Sequence, residues 1–270
     1  MIIFPNCKIN LGLSVLAKRP DGFHNVETIM YPVPLNDVLE IIPSTDGEFH
    51  FGVSGVDISG DRKSNLVVKA YELLNKDFNI GPVRIHLHKT IPLGAGLGGG
   101  SADAAYTIIL LNQIFNLNLS SESMKGYARQ LGSDCAFFVD NKAVFAYDKG
   151  DQFKKADIDL PGFFLVIVKP NVHINTAESY TWINPKNKNW SLEEIIQMPM
   201  KDWKNNLVND FEKPIFERFP EIKLVKEKLR RKGAIYASLT GSGAAVYGIF
   251  SEEVSVKNEF SGCFLWLGKL

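Results

Sequence analysis

The hydrophobic and polar residues of the chain follow both strand and helix periodicities. Residues 83–90 (VRIHLHKT) alternate between apolar and polar, which predicts a half-buried strand whose odd-numbered positions face the core. The segment from Ser101 to about Phe115 is apolar most of the way round a helix, as expected of a buried helix. The sequence therefore predicts a mixed fold of helices and strands.

The other elements are predicted from the same periodicities and from turn and capping residues. Strands are predicted at 8–16, 26–33, 37–42, 48–53, 163–169, 234–239, 244–250 and 263–267. Helices are predicted from Ser64 to about Leu74, from Ser121 to Leu131, and at 175–183, 203–217 and 221–232. Because these elements show no regular βαβ order, the sequence predicts an α+β fold rather than a doubly wound sheet.

The length and composition are those of a globular protein with a sizeable core. The 270 residues suffice for one large domain or two modest ones that share a cleft. Hydrophobic residues make up 45% of the chain, and its 30 Lys and Arg balance its 30 Asp and Glu. A neutral chain of this kind is not expected to bind nucleic acid or an anionic membrane. We place a domain boundary within 150–162, which gives domains at 1–155 and 156–270.

The cysteines and the N-terminus are typical of a soluble cytoplasmic protein. Cys7, Cys135 and Cys263 are scattered and form no CxxC pair, so neither a disulfide framework nor a zinc site is expected. The first residues lack the pattern of a signal peptide, and the apolar run at 163–168 is too short to cross a bilayer. Two histidines share a face of the strand at 83–90, but no third ligand is evident, so no metal site of the protein's own is predicted.

A glycine-rich loop at 92–103 (PLGAGLGGGSAD) is the strongest local signal. It has five glycines in the seven positions 94–100, and each costs backbone entropy on folding. Glycines let several backbone N–H groups face one anion, and the following helix directs its positive end to the same place. A plain flexible connector is the alternative, but it would not be followed by so apolar a helix. The predicted phosphate cradle consists of Pro92, Leu93, Gly94, Ala95, Gly96, Leu97, Gly98, Gly99, Gly100, Ser101 and Ala102.

Other phosphate-binding loops differ from this one in ways that the sequence shows. A Walker A loop ends in Gly-Lys-Ser or Gly-Lys-Thr, and no lysine follows these glycines. Gly94, Gly96 and Gly99 do match the G-x-G-x-x-G pattern of dinucleotide-binding proteins, but the glycines continue to Gly100 and should delay the helix. The H-R-D and D-F-G motifs of protein kinases are absent. A dinucleotide-binding oxidoreductase stays open as a weaker alternative.

The loop resembles the P-x-G-x-G-L-G-[GS]-[GS]-S-[AS] motif of the GHMP kinases. The resemblance covers nearly the whole chain, because the segments 7–10 (CKIN) and 239–245 (LTGSGAA) also resemble conserved motifs of that family. It implies a two-domain fold with an N-terminal ribosomal protein S5 domain 2-like domain and a C-terminal ferredoxin-like domain. It also implies that the protein is a kinase that uses ATP, with Mg²⁺ carried by the nucleotide, to phosphorylate a small alcohol.

Three segments resemble the members of this family that act on a cytidine-diphosphate sugar alcohol in the non-mevalonate isoprenoid pathway. They are 8–10 (KIN), 19–24 (RPDGFH) and 131–138 (LGSDCAFF). The resemblance implies transfer of phosphate to the 2-hydroxyl of that small-molecule substrate. Another GHMP kinase with a mevalonate-like or homoserine-like acceptor, and a catalytically silent binding module, are the alternatives.

The resemblance also implies roles for residues of the reaction centre. Asp134 is the candidate base for the substrate hydroxyl, and Lys8 would pair with it and offset the charge of the transferred group. Asn10 lies on the same strand face as Lys8, so it can bind the same ligand. Taken alone, Lys8 could be a solvated lysine and Asp134 a helix cap.

Further residues are expected to hold the two substrates. Phe23 and His24 would stack on and pair with the cytosine, and Tyr180 would close its other face. Asn65 would border the adenosine, and Gly241 belongs to a second glycine loop that would approach the acceptor. An aromatic residue of the family's cytosine pocket is replaced by Met30 here, which weakens that part of the resemblance.

Overall fold

The fold is that of a computed structural model, which describes residues 1–56, 62–185 and 191–270. The chain divides into two compact units built from interleaved segments. The first unit consists of Met1–Cys7, Leu35–Leu93 and Gly98–Lys142, and the second of Lys8–Pro34, Gly94–Leu97 and Ala143–Leu270. The predicted division into two continuous domains, 1–155 and 156–270, stays a prediction.

The described ranges contain twelve strands and nine α-helices. The strands are β1 (Ile2–Ile3), β2 (Asn6–Lys18), β3 (His24–Asn36), β4 (Val38–Pro43), β5 (His50–Gly55), β6 (Val83–Lys89), β7 (Val144–Tyr147), β8 (Gln152–Lys155), β9 (Phe164–Lys169), β10 (Tyr236–Leu239), β11 (Val246–Phe250) and β12 (Phe264–Lys269). The helices are α1 (Leu66–Phe78), α2 (Gly99–Ile114), α3 (Ser121–Leu131), α4 (Phe137–Asp140), α5 (Thr176–Thr181), α6 (Leu192–Ile196), α7 (Met200–Asn206), α8 (Glu212–Arg218) and α9 (Pro220–Arg231). No helix within these ranges has the length and apolar character needed to cross a membrane.

The first unit is built on a four-stranded sheet with the order β1-β4-β6-β5. β4 is antiparallel to β1 and β6, whereas β5 runs parallel to β6. The predicted alternation of β6 is confirmed, because Val83, Ile85 and Leu87 are buried while the residues between them are exposed. Helix α2 packs against α1, α3 and β4, and most of its side chains are buried, as its apolar sequence predicts.

The starts of two helices in this unit differ from the prediction. Asn65, not Ser64, caps α1, and its side chain accepts a hydrogen bond of 2.9 Å from the backbone N–H of Val67. Helix α2 begins at Gly99, two residues before the predicted start at Ser101. Since glycine adopts both helical and left-handed conformations, a run of three glycines does not show where such a helix begins.

The second unit contains two four-stranded sheets. One has the order β2-β3-β7-β8. The other has the order β10-β11-β9-β12, in which neighbouring strands are antiparallel. Numbered along the chain, the strands of the second sheet stand in the order 2-3-1-4, which is the arrangement of a ferredoxin-like sheet. Helix α9 covers β10 and β11, and all five residues of β11 are buried.

The helix predicted at 203–217 is two helices, α7 and α8, with residues 207–211 between them. The side chain of Asn209 explains the interruption. Its amide N–H groups bind the carbonyl oxygens of Leu239 and Gly241, and its Oδ1 accepts from the N–H of Phe211. The bond with Phe211, two residues further on, is a local bond between side chain and backbone, and such bonds compete with helical hydrogen bonds.

Candidate active site

The first part of the glycine loop, Gly94–Leu97, lies in the second unit against the second glycine loop. Gly96 has a φ of 73°, and a Cβ at this position would lie 2.1 Å from the carbonyl oxygen of Thr240. A Cβ on Gly241 would in turn lie 3.0 Å from the Cα of Gly96. The N–H of Ala244 also binds the carbonyl oxygen of Gly94 at 3.0 Å. Only glycine therefore fits at these two contact positions.

The second part of the loop continues into helix α2 in the first unit. Gly98 has a φ of 72° and precedes the helix, and Gly99, Gly100, Ser101 and Ala102 form its first turn. This turn has no acidic residue and no side-chain cap. The first N–H groups of a helix have no partner within it, and they stand at the positive end of the helix dipole. These residues therefore present the donors that a phosphate group needs.

A buried ion cluster under this turn was not predicted. The ammonium group of Lys89 contacts Asp37 and lies 2.8 Å from the Oδ2 of Asp103, and all three residues are buried. The other oxygen of Asp37 accepts from the N–H groups of Thr90 and Ile91, at 2.6 and 2.9 Å. The cluster thus joins the end of β6 to the first turns of α2. One signal for it was in the sequence, since Lys89 continues the inward-facing positions of β6.

The charges of this cluster depend on one another. The pKa of Asp103 is raised to about 7, chiefly by burial. The positive charge of Lys89 lowers this pKa, and the nearby negative charge of Asp37 raises it. Burial lowers the pKa of Lys89, but the two carboxylates outweigh it, so the net shift is upward. The cluster therefore holds a charged lysine below the glycine loop.

Lys8 and Asn10 lie on β2 in the second unit, side by side as their spacing predicts. Lys8 is only 2% exposed, so the alternative of a solvated lysine is wrong. Its ammonium group donates to the carbonyl oxygen of Gly96 at 3.0 Å and to the Oδ1 of Asn10. The Asn10 backbone N–H donates to the hydroxyl of Thr240 at 3.1 Å. The lysine is thereby fixed at the glycine loop.

Asp134 lies in the first unit, in the turn between α3 and α4. It is half-buried, and its backbone carbonyl accepts from the N–H of Phe137 at 3.3 Å. The N-cap position of α4 is Ala136, not Asp134. Burial raises the pKa of the adjacent Cys135 thiol to about 12, so this cysteine is not a nucleophile at neutral pH. The pairing of Asp134 with Lys8 stays a prediction.

The turn at 19–24 presents an aromatic side chain. The N–H of Arg19 binds the carbonyl oxygen of Phe23 at 2.8 Å, and the side chain of Asp21 accepts from the N–H of Phe23 at 3.1 Å. Phe23 is 52% exposed, and the ammonium group of Lys149 lies 5.3 Å from its ring centre. Lys149 carried no signal in the sequence, since it stands in an ordinary polar turn.

His24 and Tyr180 are brought together in the second unit. Their rings stack with centres 4.8 Å apart and planes at 20°, and the edge of Phe211 contacts Tyr180 at 4.9 Å between centres. Burial, aided by Lys18, lowers the pKa of His24, so its ring is neutral at pH 7. Met30 is 2% exposed and belongs to the core. His24 and Tyr180 thus form one stacked pair of half-buried rings, and the exposed Phe23 precedes His24 in the chain.

Two further residues of the first unit complete the survey of candidate positions. Pro92 and Leu93 are half-buried at the entrance to the glycine loop.

Among the residues that the structure describes, no group of three His, Cys, Asp or Glu is arranged to hold a metal ion. His86 and His88 instead share the hydroxyl of Ser54, at 2.8 and 2.9 Å.

Comparisons with known proteins agree with this geometry. Two family models match the chain, one described as the GHMP kinases N terminal domain over residues 65–142 and one as GHMP kinases C terminal over residues 191–262. A 4-diphosphocytidyl-2-C-methyl-D-erythritol kinase from Bacteroides fragilis is 50% identical over 273 residues, which cover 100% of both chains. The kinase of the same name from Cytophaga hutchinsonii is 49% identical and covers 96% of both chains. A crystal structure of 4-(cytidine 5'-diphospho)-2C-methyl-D-erythritol kinase, 28% identical, matches 99% of this chain and 98% of its own with a TM-score of 0.81.

Proposed function

Because the chain belongs to the GHMP kinase family, we propose that it transfers the γ-phosphate of ATP to the 2-hydroxyl of 4-diphosphocytidyl-2-C-methyl-D-erythritol. The observation that carries the proposal is the 50% identity, over the full length of both chains, to a kinase named for that acceptor. The reaction belongs to the non-mevalonate pathway of isoprenoid biosynthesis. The residues described above suit each part of it.

The first unit supplies the groups that bind ATP. The N–H groups of Gly98 to Ser101 and the positive end of α2 would hold the phosphates, whereas the N–H of Ala102 donates to the carbonyl oxygen of Gly98 at 2.9 Å. Asn65 would border the adenosine from the start of α1. Magnesium ions prefer oxygen ligands, and the Ser101 hydroxyl is such a group in this unit. Mg²⁺ bound with the nucleotide would neutralise phosphate charge.

The reaction needs a base, a positive charge and a fixed acceptor. Asp134 would accept the proton of the substrate hydroxyl. Lys8 would offset the negative charge that develops on the transferred group. A buried lysine held by two oxygen acceptors loses little freedom when it takes up this role, because its position is already fixed.

The second unit supplies the aromatic groups that would recognise cytosine. Phe23 offers an exposed ring, and His24, the next residue, forms a stacked pair with Tyr180. Stacking on aromatic side chains and hydrogen bonds to the base edge are the usual means of holding a single base. A neutral imidazole can donate from one nitrogen and accept at the other, which suits a pyrimidine edge.

The alternatives fit less well. A dinucleotide-binding oxidoreductase needs a parallel sheet. In the part of the chain that the structure describes, β5 runs parallel to β6, whereas β4 is antiparallel to both β1 and β6. Lys8 and Asp134 are both present, which argues against a silent binding module. A mevalonate-like or homoserine-like acceptor would not require an exposed aromatic residue at position 23. A cytoplasmic location stays a prediction.

A coupled ATP-consumption assay with a panel of acceptors tests this function. The cytidine-diphosphate methylerythritol should support turnover, whereas mevalonate and homoserine should not. Thermal-shift measurements add a check without turnover, because Mg²⁺-ATP and cytidine nucleotides should raise the Tm and NAD(H) should not. Turnover with mevalonate or homoserine, and none with the cytidine compound, would contradict the proposed substrate.

A further inference from the structure

A chain of buried hydrogen bonds in the second unit leads from the backbone of β2 to Lys8. This chain of hydrogen bonds begins at Thr28 on β3, which is only 1% exposed. Its hydroxyl donates to the carbonyl oxygen of Gly12 at 2.6 Å. The same hydroxyl oxygen lies 3.0 Å from the side-chain nitrogen of Asn10. No sequence motif or substrate contact discussed above involves Thr28.

The polarity of this chain follows from the single proton of a hydroxyl group. Because Thr28 gives its proton to Gly12, its oxygen can only accept from Asn10. The NH₂ group of Asn10 must therefore point to Thr28, and its Oδ1 must point the other way. That oxygen accepts from the ammonium group of Lys8. The hydroxyl oxygen of Thr240 also lies 3.3 Å from this Oδ1. Thr28 thus holds the NH₂ end of an amide whose oxygen faces Lys8 and Thr240.

The reverse orientation of the Asn10 amide would harm the position of Lys8. It would place NH₂ protons against the ammonium group, and neither side could accept a hydrogen bond. Lys8 would keep its bond of 3.0 Å to the carbonyl oxygen of Gly96 but would lose the acceptor on β2. Since Lys8 is 2% exposed, water does not readily replace a lost acceptor.

We propose that Thr28 is a positioning residue for phosphoryl transfer, which acts through the amide of Asn10 to hold the ammonium group of Lys8. The proposal rests on the kinase activity proposed above. It assigns no substrate contact to Thr28, so the loss of its hydroxyl should lower the rate of transfer and leave nucleotide binding intact.

The first test compares a substitution that removes the hydroxyl with one that retains it. Thr28→Val removes the hydroxyl and keeps the shape, and Thr28→Ser keeps the hydroxyl. Because a small displacement of a catalytic group costs up to about 100-fold in rate, kcat should fall about 10- to 100-fold in Thr28→Val. The KM for ATP should change less than about twofold. Thr28→Ser should recover most of the lost rate, and a Thr28→Val variant with the parental kcat overturns the proposal.

A double-mutant cycle separates this role from a general packing defect. In the Asn10→Ala background there is no amide to orient, so adding Thr28→Val should change kcat less than about twofold. If Thr28 only supported the packing of β3, its substitution would cost the same factor in both backgrounds. Equal factors therefore overturn the proposal.

A third measurement does not depend on the acceptor. NMR of the ¹⁵N-labelled chain detects the side-chain amide protons of Asn10, which are identified by their absence in Asn10→Ala. Their hydrogen exchange should be about tenfold faster in Thr28→Val than in the parent and in Thr28→Ser. Unchanged exchange overturns the orientation by Thr28. If the parent chain fails to phosphorylate the cytidine compound, the proposed substrate is wrong, and this exchange measurement still decides the role of Thr28.

Discussion

Gly100 offers the sharpest test of the phosphate cradle, because the chain itself gives no reason for a glycine there. It lies exposed in the first turn of α2, and a Cβ at this position would meet nothing within 4 Å. Replacing glycine by alanine in a helix adds up to about 1 kcal/mol of stability. For a chain of this size, that corresponds to a rise of about 2 °C in Tm. We therefore expect Gly100→Ala to fold at least as stably as the parent.

Nucleotide binding should respond in the opposite direction. If the phosphates of ATP lie against the N–H groups of this turn, the added methyl group occupies their space and breaks at least one hydrogen bond to a charged oxygen. Such a bond is worth about 1.5–3 kcal/mol, which corresponds to a loss of about 10- to 150-fold in affinity. Calorimetric titration with Mg²⁺-ATP measures the affinity, and a thermal melt measures the stability.

Gly126 provides the matched control. It is an exposed glycine inside α3, and its Cβ would also meet nothing within 4 Å. Gly126→Ala should raise the Tm by a similar amount and leave ATP affinity unchanged. Parental ATP affinity in Gly100→Ala would refute the assignment of the cradle to this turn. A lower Tm in both variants would instead refute the inference that their surroundings are open.

Three further predictions concern the base, the cytosine and the buried ion cluster. Asp134→Asn should lower turnover about 10²- to 10⁴-fold in a steady-state assay. Near-parental turnover would show that Asp134 is not the base. Phe23→Ala should weaken acceptor binding, measured by calorimetry, about 5- to 150-fold, whereas Phe23→Tyr should leave acceptor affinity unchanged. If Phe23→Ala also lowered ATP affinity, the turn at 19–24 would be misfolded. The pKa of Asp103 is raised to about 7 in the fold and lies near 4 in the unfolded chain, so between these pH values the native state binds more protons than the unfolded state. The free energy of unfolding therefore falls as the pH rises from about 4 towards 7. Asp103→Asn should lack this loss, so its Tm relative to the parent should increase from pH 5 to pH 8, and a constant difference would contradict the raised pKa.

The sequence predicted those features that depend on local chemistry. The α+β class and the alternation of β6 are confirmed, because both follow from the periodicity of short segments. The phosphate cradle at the glycine loop stays a prediction. The start of α2 was placed two residues late, since three successive glycines can take either of two conformations. The break between α7 and α8 was missed because Asn209 bonds to backbone 30 and 32 residues away.

The parts of the candidate site that no local pattern predicted come from distant segments. Asp37, Lys89 and Asp103 are separated by 52 and 14 residues, and only the sheet and α2 bring them into one cluster. Thr28 reaches Asn10 across 18 residues, and nothing in the sequence around it indicates this contact. Such contacts can be seen only in the fold, whereas motifs in the sequence indicate candidates for the reacting groups.

Proton-coupled ³¹P NMR of the product tests the proposed reaction most directly. In the acceptor, the carbon at position 2 carries the methyl group and no hydrogen, so a phosphate ester at its hydroxyl has no proton three bonds from phosphorus. After incubation of the chain with Mg²⁺-ATP and 4-diphosphocytidyl-2-C-methyl-D-erythritol, we expect a new phosphomonoester signal that is a singlet, together with the signals of ADP. A signal split by neighbouring protons would place the phosphate on another hydroxyl, and no new ester signal would contradict the kinase activity on this acceptor.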